Sequence, residues 1–191
     1  VKIFVDVGAH EGQTIEEVVK PEYGFDIIYA LEPMPKQFDT LERNFLGDPR
    51  VKARNVGLGA ANASVVMYGG NEQLEASIYG DKNDVDENIH TLVKMLDAED
   101  FFRALPEGEV FVNMNCEGAE LPILTHLIDS GAIDRIDYLL VDFDIRKIAR
   151  LADREADLRF GLDASAVSWT CEYPVAETHQ EMIGAWLRGV L

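Results

Sequence analysis

The residues of this chain with the types and spacing to do chemistry gather where apolar runs stop. Val1-Lys2-Ile3-Phe4-Val5-Asp6-Val7 leads into Gly8-Ala9-His10-Glu11-Gly12, two glycines four apart that open a helix-like segment, Gln13 to Lys20. A parallel strand that stops at a glycine turn and feeds a helix builds a ligand cleft at the carboxyl edge of an open α/β sheet. Glycine there lets backbone and ligand come close and tolerates positive φ. Glu32 follows Gly12 by twenty residues, closing a second apolar run, Ile27 to Leu31. An acid at that distance suits a ribose diol, so the spacing points to a nucleoside-containing cofactor. Asn55 to Gly59, Asn113 to Gly118 and Asp142-Phe143-Asp144 are likewise polar where strand-like runs end. Their carboxylates are of the kind that takes or gives a proton beside a bound substrate.

The dinucleotide fingerprint, Gly-x-Gly-x-x-Gly, needs a middle glycine so that a pyrophosphate can meet the helix start. Here His10 and Glu11 fill that part of the loop. A carboxylate there repels a pyrophosphate but accepts a hydrogen bond from an ammonium, which disfavours an α/β dehydrogenase.

Strand-like and helix-like segments alternate: 2–7 then 13–20, 26–31 then 35–46, and a third strand over 51–58. Alternation of this kind predicts βαβ units and a mostly parallel sheet. Pro33 and Pro35 precede the helix bearing Phe38, Leu41 and Phe45, where a helix start tolerates proline. Later strands are expected at 64–68, 91–96, 109–113, 136–143 and 167–173, and helices at 97–104, 119–129, 146–155 and 177–188. The polar, acidic stretch 69–88 has little periodicity, and a loop of that length in a compact domain tends to be functional.

At 191 residues a single domain over 1–191 is expected, with 156–191 its least readable part. The net charge of −18 argues against nucleic acid or an anionic membrane surface as partner. Cys116 and Cys171 suggest no disulfide framework, and no Cys/His cluster has zinc spacing. No apolar run approaches the ~20 residues of a bilayer span and no signal-peptide pattern is present, so a cytoplasm-like location is expected. The chain opens directly on a strand without Met, as one with residues removed upstream would.

Asp6-Val7-Gly8-Ala9-His10-Glu11-Gly12 resembles the Asp-x-Gly-x-x-x-Gly loop of S-adenosylmethionine-dependent methyltransferases of the Rossmann-like class. Val112-Asn113-Met114-Asn115-Cys116-Glu117-Gly118-Ala119-Glu120-Leu121 resembles the Lys-x-Asp-x-Glu-Gly-Ala-Glu-Leu segment of the FkbM-type methyltransferases. Ala30-Leu31-Glu32-Pro33-Met34-Pro35, the Phe38/Leu41/Asn44 helix, Leu96-Asp97 and Val141-Asp142-Phe143-Asp144 fit the same family. The resemblance covers about residues 3–147. It implies a Rossmann-like α/β fold with a mostly parallel central sheet flanked by helices, S-adenosylmethionine as cofactor, and methylation of a hydroxyl, frequently on a sugar or glycan-like acceptor. The candidate cofactor contacts are Asp6, Gly8, His10, Glu11, Gly12 and Thr14, then Glu32 for the ribose, Met34 and Gly57 for the adenine, and Asn115 for the methionine end.

This chain departs from the family pattern at Asn115, where the relatives carry Asp, and at Asp144, where they carry a His-like residue. An amide cannot serve as a carboxylate base, so Glu117 is the first candidate for the acceptor's proton and Asp144 the second. His179 is weighed as a further base against a solvated helix histidine, and His90 and His126 read as structural. Asn115, Glu117, Asp142 and Asp144 are also hard oxygen ligands suited to a divalent metal. A metal-assisted O-methyltransferase is therefore one alternative, and a non-catalytic module retaining the fold is another. The stretch 69–88, with Ser77 and Tyr79, is expected to cover the acceptor.

Overall fold

The computed structural model describes residues 1–69, 76–83 and 85–191. In chain order the elements are β1 (Lys2–Val7), α1 (Gln13–Val18), β2 (Ile27–Leu31), α2 (Pro35–Phe45), β3 (Val51–Arg54), β4 (Gly57–Gly59), β5 (Ala63–Gly69), β6 (Ala76–Ser77), β7 (His90–Asp97), α3 (Ala98–Arg103), β8 (Glu109–Met114), α4 (Glu120–Asp129), β9 (Tyr138–Val141), α5 (Arg154–Asp163), β10 (Ser168–Thr170) and α6 (His179–Val190).

Six strands form a wholly parallel sheet in the order β10-β9-β8-β1-β2-β3. Side chains of successive strand residues point to opposite faces, and both faces are apolar. Ile3, Val5 and Val7 of β1 join Val110, Val112 and Met114 of β8 in a core shared with α3, α4 and α5. Phe4 and Phe111, one residue out of phase, pack with Ile15, Leu41, Ile183 and Trp186 from α1, α2 and α6. Sandwiching the sheet between these helix layers is what lets near-continuous hydrophobic strands fold as one parallel sheet. The chain winds outward from β1 through β2 to β3, then restarts at β8 and winds to the other edge. The order therefore reverses between β1 and β8, which is where an open α/β sheet leaves a crevice.

The expected third strand over 51–58 divides. β3 pairs with β2, whereas β4 leaves to join a second sheet of order β4-β7-β5-β6. The break falls at Asn55, whose Nδ2 donates to the carbonyls of Glu32 (2.9 Å) and Pro33 (3.0 Å). The helix expected over 146–155 is also displaced. A short turn over Asp144–Lys147 intervenes and α5 starts only at Arg154, because Ile145 and Ile148 are drawn into the core while Arg146 and Arg150 reach Asp142 and Asp81. Strand β9 is shorter than its apolar run, and the tail supplies β10 and α6. Of the expected loop, residues 70–75 and 84 lie outside the described residues, and Ala76–Ser77 pair with β5. Among the described residues, no helix is long and apolar enough to cross a membrane.

Candidate functional site

A cleft of about 470 Å³ opens at the carboxyl ends of β1, β2 and β8, within the usual size of a small-molecule site. Its floor is the close approach of two loops, 8–12 after β1 and 115–118 after β8. Gly8, at φ +91, is the reason they meet: a β-carbon there would stand 1.9 Å from the Asn115 carbonyl oxygen. Each loop holds one non-glycine residue at positive φ, His10 (49°) and Glu117 (56°), a conformation that costs roughly 1–3 kcal/mol and tends to cluster at functional sites.

Gly8, His10, Thr14, Glu32, Met34, Gly57, Asn115 and Glu117 all line this cleft. Asp6, Glu11, Gly12 and Asp144 do not. Asp6 is fully buried one layer beneath, opposite Asn113 in the β1–β8 register, where Asn113 Nδ2 donates to it at 2.8 Å and Thr14 hydrogen-bonds it. Burial pushes its carboxyl up to about 7. The Glu11 side chain is exposed, while its carbonyl accepts from Asn44 Nδ2 (3.1 Å). Gly12 serves packing, since a β-carbon at that position would lie 2.3 Å from the Phe45 ring. The Phe38/Leu41/Asn44 helix thus works by clamping the first loop.

Glu32 sits at the end of β2 with both carboxylate oxygens held. His10 N–H donates to Oε2 and Met34 N–H to Oε1, each at 2.8 Å. A carboxylate oxygen has two lone-pair directions, so each keeps one for a ligand. Burial raises this group to about 7 despite the two donors. Asn115 Oδ1 and Gln37 Oε1 are buried acceptors of cleft-lining residues with no partner among the described residues. Met34, Leu58, Met67 and Met95 supply an apolar wall from β2 and the second sheet. Among the described residues, the lining includes no Lys or Arg.

On the other side of the cleft Glu117 meets a network that composition alone conceals. Lys82, its side chain wholly buried, places Nζ 2.7 Å from Glu117 Oε2. Ser77 Oγ donates to the Glu117 carbonyl (2.6 Å), and the Tyr79 ring lies against Gly118. Residues 76–83 therefore strap across the β8–α4 loop. Asp144 is hydrogen-bonded to Glu117 and paired with Lys147 at 2.9 Å. Burial and the Asp144 carboxyl raise Glu117; for Asp144, burial is outweighed by the bonds from Glu117 and Lys147, and its pKa falls. The two carboxyls consequently share a proton that resides on Glu117. Asp142 pairs with Arg146 at 3.1 Å, so the carboxylates weighed as metal ligands each already have a protein partner. No group of three His, Cys, Asp or Glu side chains suited to a metal occurs among the described residues.

Glu120, fully buried, accepts from the backbone N–H of Gly118 (2.8 Å) and Ile145 (2.6 Å), locking the Glu117 loop to the segment after β9. His126 bonds Asp97 at 3.0 Å, outside the cleft. His179 is not a solvated helix residue. It lines the cleft with Nε2 2.9 Å from Thr14 Oγ1. Sequence spacing gives no sign of Lys82, and none of the place of His179 beside Thr14, because both reach the site through tertiary packing.

No protein-family model matches this chain, and no curated protein does. Among solved structures the chain is similar to the crystal structure of the methyltransferase FkbM from Methylobacillus flagellatus KT, with a TM-score of 0.55 and 18% identity over 86% of this chain. The match spans 37% of that protein's length. At that identity the likeness is one of fold, and the chain has the Rossmann-like α/β architecture of that methyltransferase.

Proposed function

We propose that the protein is an S-adenosylmethionine-dependent methyltransferase that methylates a hydroxyl, on a sugar or glycan-like acceptor. The observation that carries this reading is Glu32, a carboxylate pinned by two backbone N–H groups at the mouth of the switch-point cleft, with a lone pair on each oxygen left for a ribose diol. The orphaned Asn115 Oδ1 supports it, since a buried acceptor without a donor is costly until a ligand supplies one. A lining with carboxylates and, among the described residues, no Lys or Arg suits a cationic ligand and opposes a phosphorylated one.

When bound, S-adenosylmethionine supplies a methyl group activated by its sulfonium. The chain's own residues do the rest. Glu32 accepts from the ribose hydroxyls, Asn115 from the α-ammonium, and Met34, Leu58 and Met95 exclude water around the base. Methyl transfer to oxygen is an in-line displacement, in which positioning and removal of the hydroxyl proton are the protein's contributions. Glu117 lines the cleft and is the group to receive that proton in its ionised form. Lys82 holds its carboxylate in place, and Asp144 takes up a hydrogen bond as Glu117 becomes protonated.

Calorimetric titration with S-adenosylhomocysteine, beside NAD, tests the reading. Micromolar affinity for the first and none for NAD is expected. Binding of NAD alone, or of neither, would sink it.

A further inference from the structure

The tail helix α6 lies beyond residues 3–147, which carry the sequence resemblance, yet it delivers a side chain to the cleft. α6 packs along α1, and Ile183, Trp186 and Leu187 are buried beside Ile15 and Val18. This packing is reinforced by Arg188, which donates to the Tyr23 hydroxyl (3.2 Å), and by Gln180, which donates to Glu16 (2.8 Å). The first residue of the helix, His179, is thereby set on the cleft wall above Thr14.

The hydrogen-bond chain beneath it defines which face of the ring is offered. Thr14 bonds the Asp6 carboxyl. In the tautomer with the hydrogen on Nε2, Thr14 Oγ1, 2.9 Å away, accepts it while its own hydrogen turns to Asp6. That leaves Nδ1 as the ring's acceptor, without a hydrogen-bond partner among the described residues. Asn115 Oδ1, the other unpartnered acceptor on this side, belongs to the same lining. Burial lowers the His179 pKa, which keeps the imidazole neutral and able to accept.

We infer that His179 is a cofactor-binding residue, whose Nδ1 accepts a hydrogen bond from the α-ammonium of the ligand's amino-acid end, together with Asn115. The inference rests on the methyltransferase reading and extends it to an element outside the residues that carry the sequence resemblance. An ammonium has three hydrogens in roughly tetrahedral directions, and an imidazole nitrogen and an amide oxygen on adjoining elements satisfy two of them.

The test is binding, measured by calorimetry on the whole chain with three ligands. These are S-adenosylhomocysteine, 5′-methylthioadenosine, which lacks the amino-acid end, and 5′-S-(3-carboxypropyl)thioadenosine, which lacks only the amine. His179→Ala is expected to weaken S-adenosylhomocysteine at least tenfold while leaving the other two within twofold. His179→Gln, whose amide keeps the reach to Thr14 but offers nothing at the Nδ1 position, is expected to show the same loss with an unchanged Tm. Unaltered affinity for S-adenosylhomocysteine in both variants would overturn the assignment. Equal weakening of all three ligands would also overturn it, by showing that His179 merely supports the fold. If the wild-type chain bound none of them, the methyltransferase reading would fall, and this assignment with it.

Discussion

Gly8 and Asn115 touch across the sheet's switch point, so closely that a single methyl on Gly8 would lie 1.9 Å from the Asn115 carbonyl oxygen. No rotamer change relieves this, because both groups are backbone. Gly8 is also at φ +91, which L-residues rarely adopt. Gly8→Ala is therefore expected to separate the β1 and β8 loops, lowering stability by about 3 kcal/mol or more, in the range of diagnostic core lesions. A urea unfolding midpoint indistinguishable from wild type would contradict this account of the floor.

Glu32 gives the most direct handle on ligand binding. Both its oxygens accept backbone N–H bonds, so in Glu32→Gln the amide NH2 must confront a donor from His10 or Met34. A charge-assisted bond is worth about 1.5–3 kcal/mol, and S-adenosylhomocysteine affinity is expected to fall at least tenfold. In the wild type the affinity should also fall as pH drops below about 7, where the raised carboxyl becomes protonated. A flat affinity profile from pH 8 to 6 would argue against Glu32 as an ionised acceptor.

Stability should move with pH in the opposite direction. Burial raises Asp6 from 3.8, and Glu32 and Glu120 from 4.5, to about 7 each. The folded state thus holds these protons more tightly than the unfolded chain. The resulting stabilisation is complete below about pH 4 and is lost as pH rises through about 7. In a chain of this size 1 kcal/mol shifts Tm by about 2–4 °C, so Tm at pH 6 is expected to exceed that at pH 8 by several degrees. The net charge of −18 acts in the same sense; Glu120→Gln isolates the buried-carboxyl part by shrinking the difference. A Tm that climbs towards pH 8 would refute the assignment.

Glu117 and Lys82 separate chemistry from cofactor binding. Once an acceptor is found, Glu117→Gln is expected to reduce turnover about 10²–10⁴-fold, the usual reach of a general base, with S-adenosylhomocysteine affinity held within threefold. Lys82→Met should move the acidic limb of the turnover profile upward, because the ammonium 2.7 Å from Glu117 favours its ionised form. An unshifted profile in an active Lys82→Met enzyme would remove Lys82 from the machinery.

Much of the β1–β2 side of the cleft was legible in the amino-acid order because local rules place it. A strand, a glycine turn and a helix follow one another within residues 2–18, and Glu32 ends the next strand by the same logic. The contacts brought in by distant segments were not. Lys82 sits in a polar, acidic stretch where nothing distinguishes a buried lysine from a solvated one; its burial depends on Glu117, from a distant loop. His179 is tied to Thr14 across 165 residues. The division of the 51–58 run is equally invisible, since an asparagine in a strand-like segment reads as a weak strand residue rather than as a clamp on carbonyls 22 and 23 residues upstream. Asp6 shows the limit even of a well-read motif: its spacing is that of a ligand contact, and its side chain lies below the floor.

The second sheet is moored to the main one on two flanks. On one, Asn55 grips the Glu32 and Pro33 carbonyls just before the chain crosses over. On the other, Asp81, Lys82 and Asn83 fasten to Arg150, Glu117 and the Lys147 carbonyl. The first mooring is made of uncharged amide-to-carbonyl bonds, the second largely of ion pairs. Salt therefore bears on the two flanks of the apolar wall unequally, screening the exposed Arg150–Asp81 pair while leaving the asparagine clamp untouched.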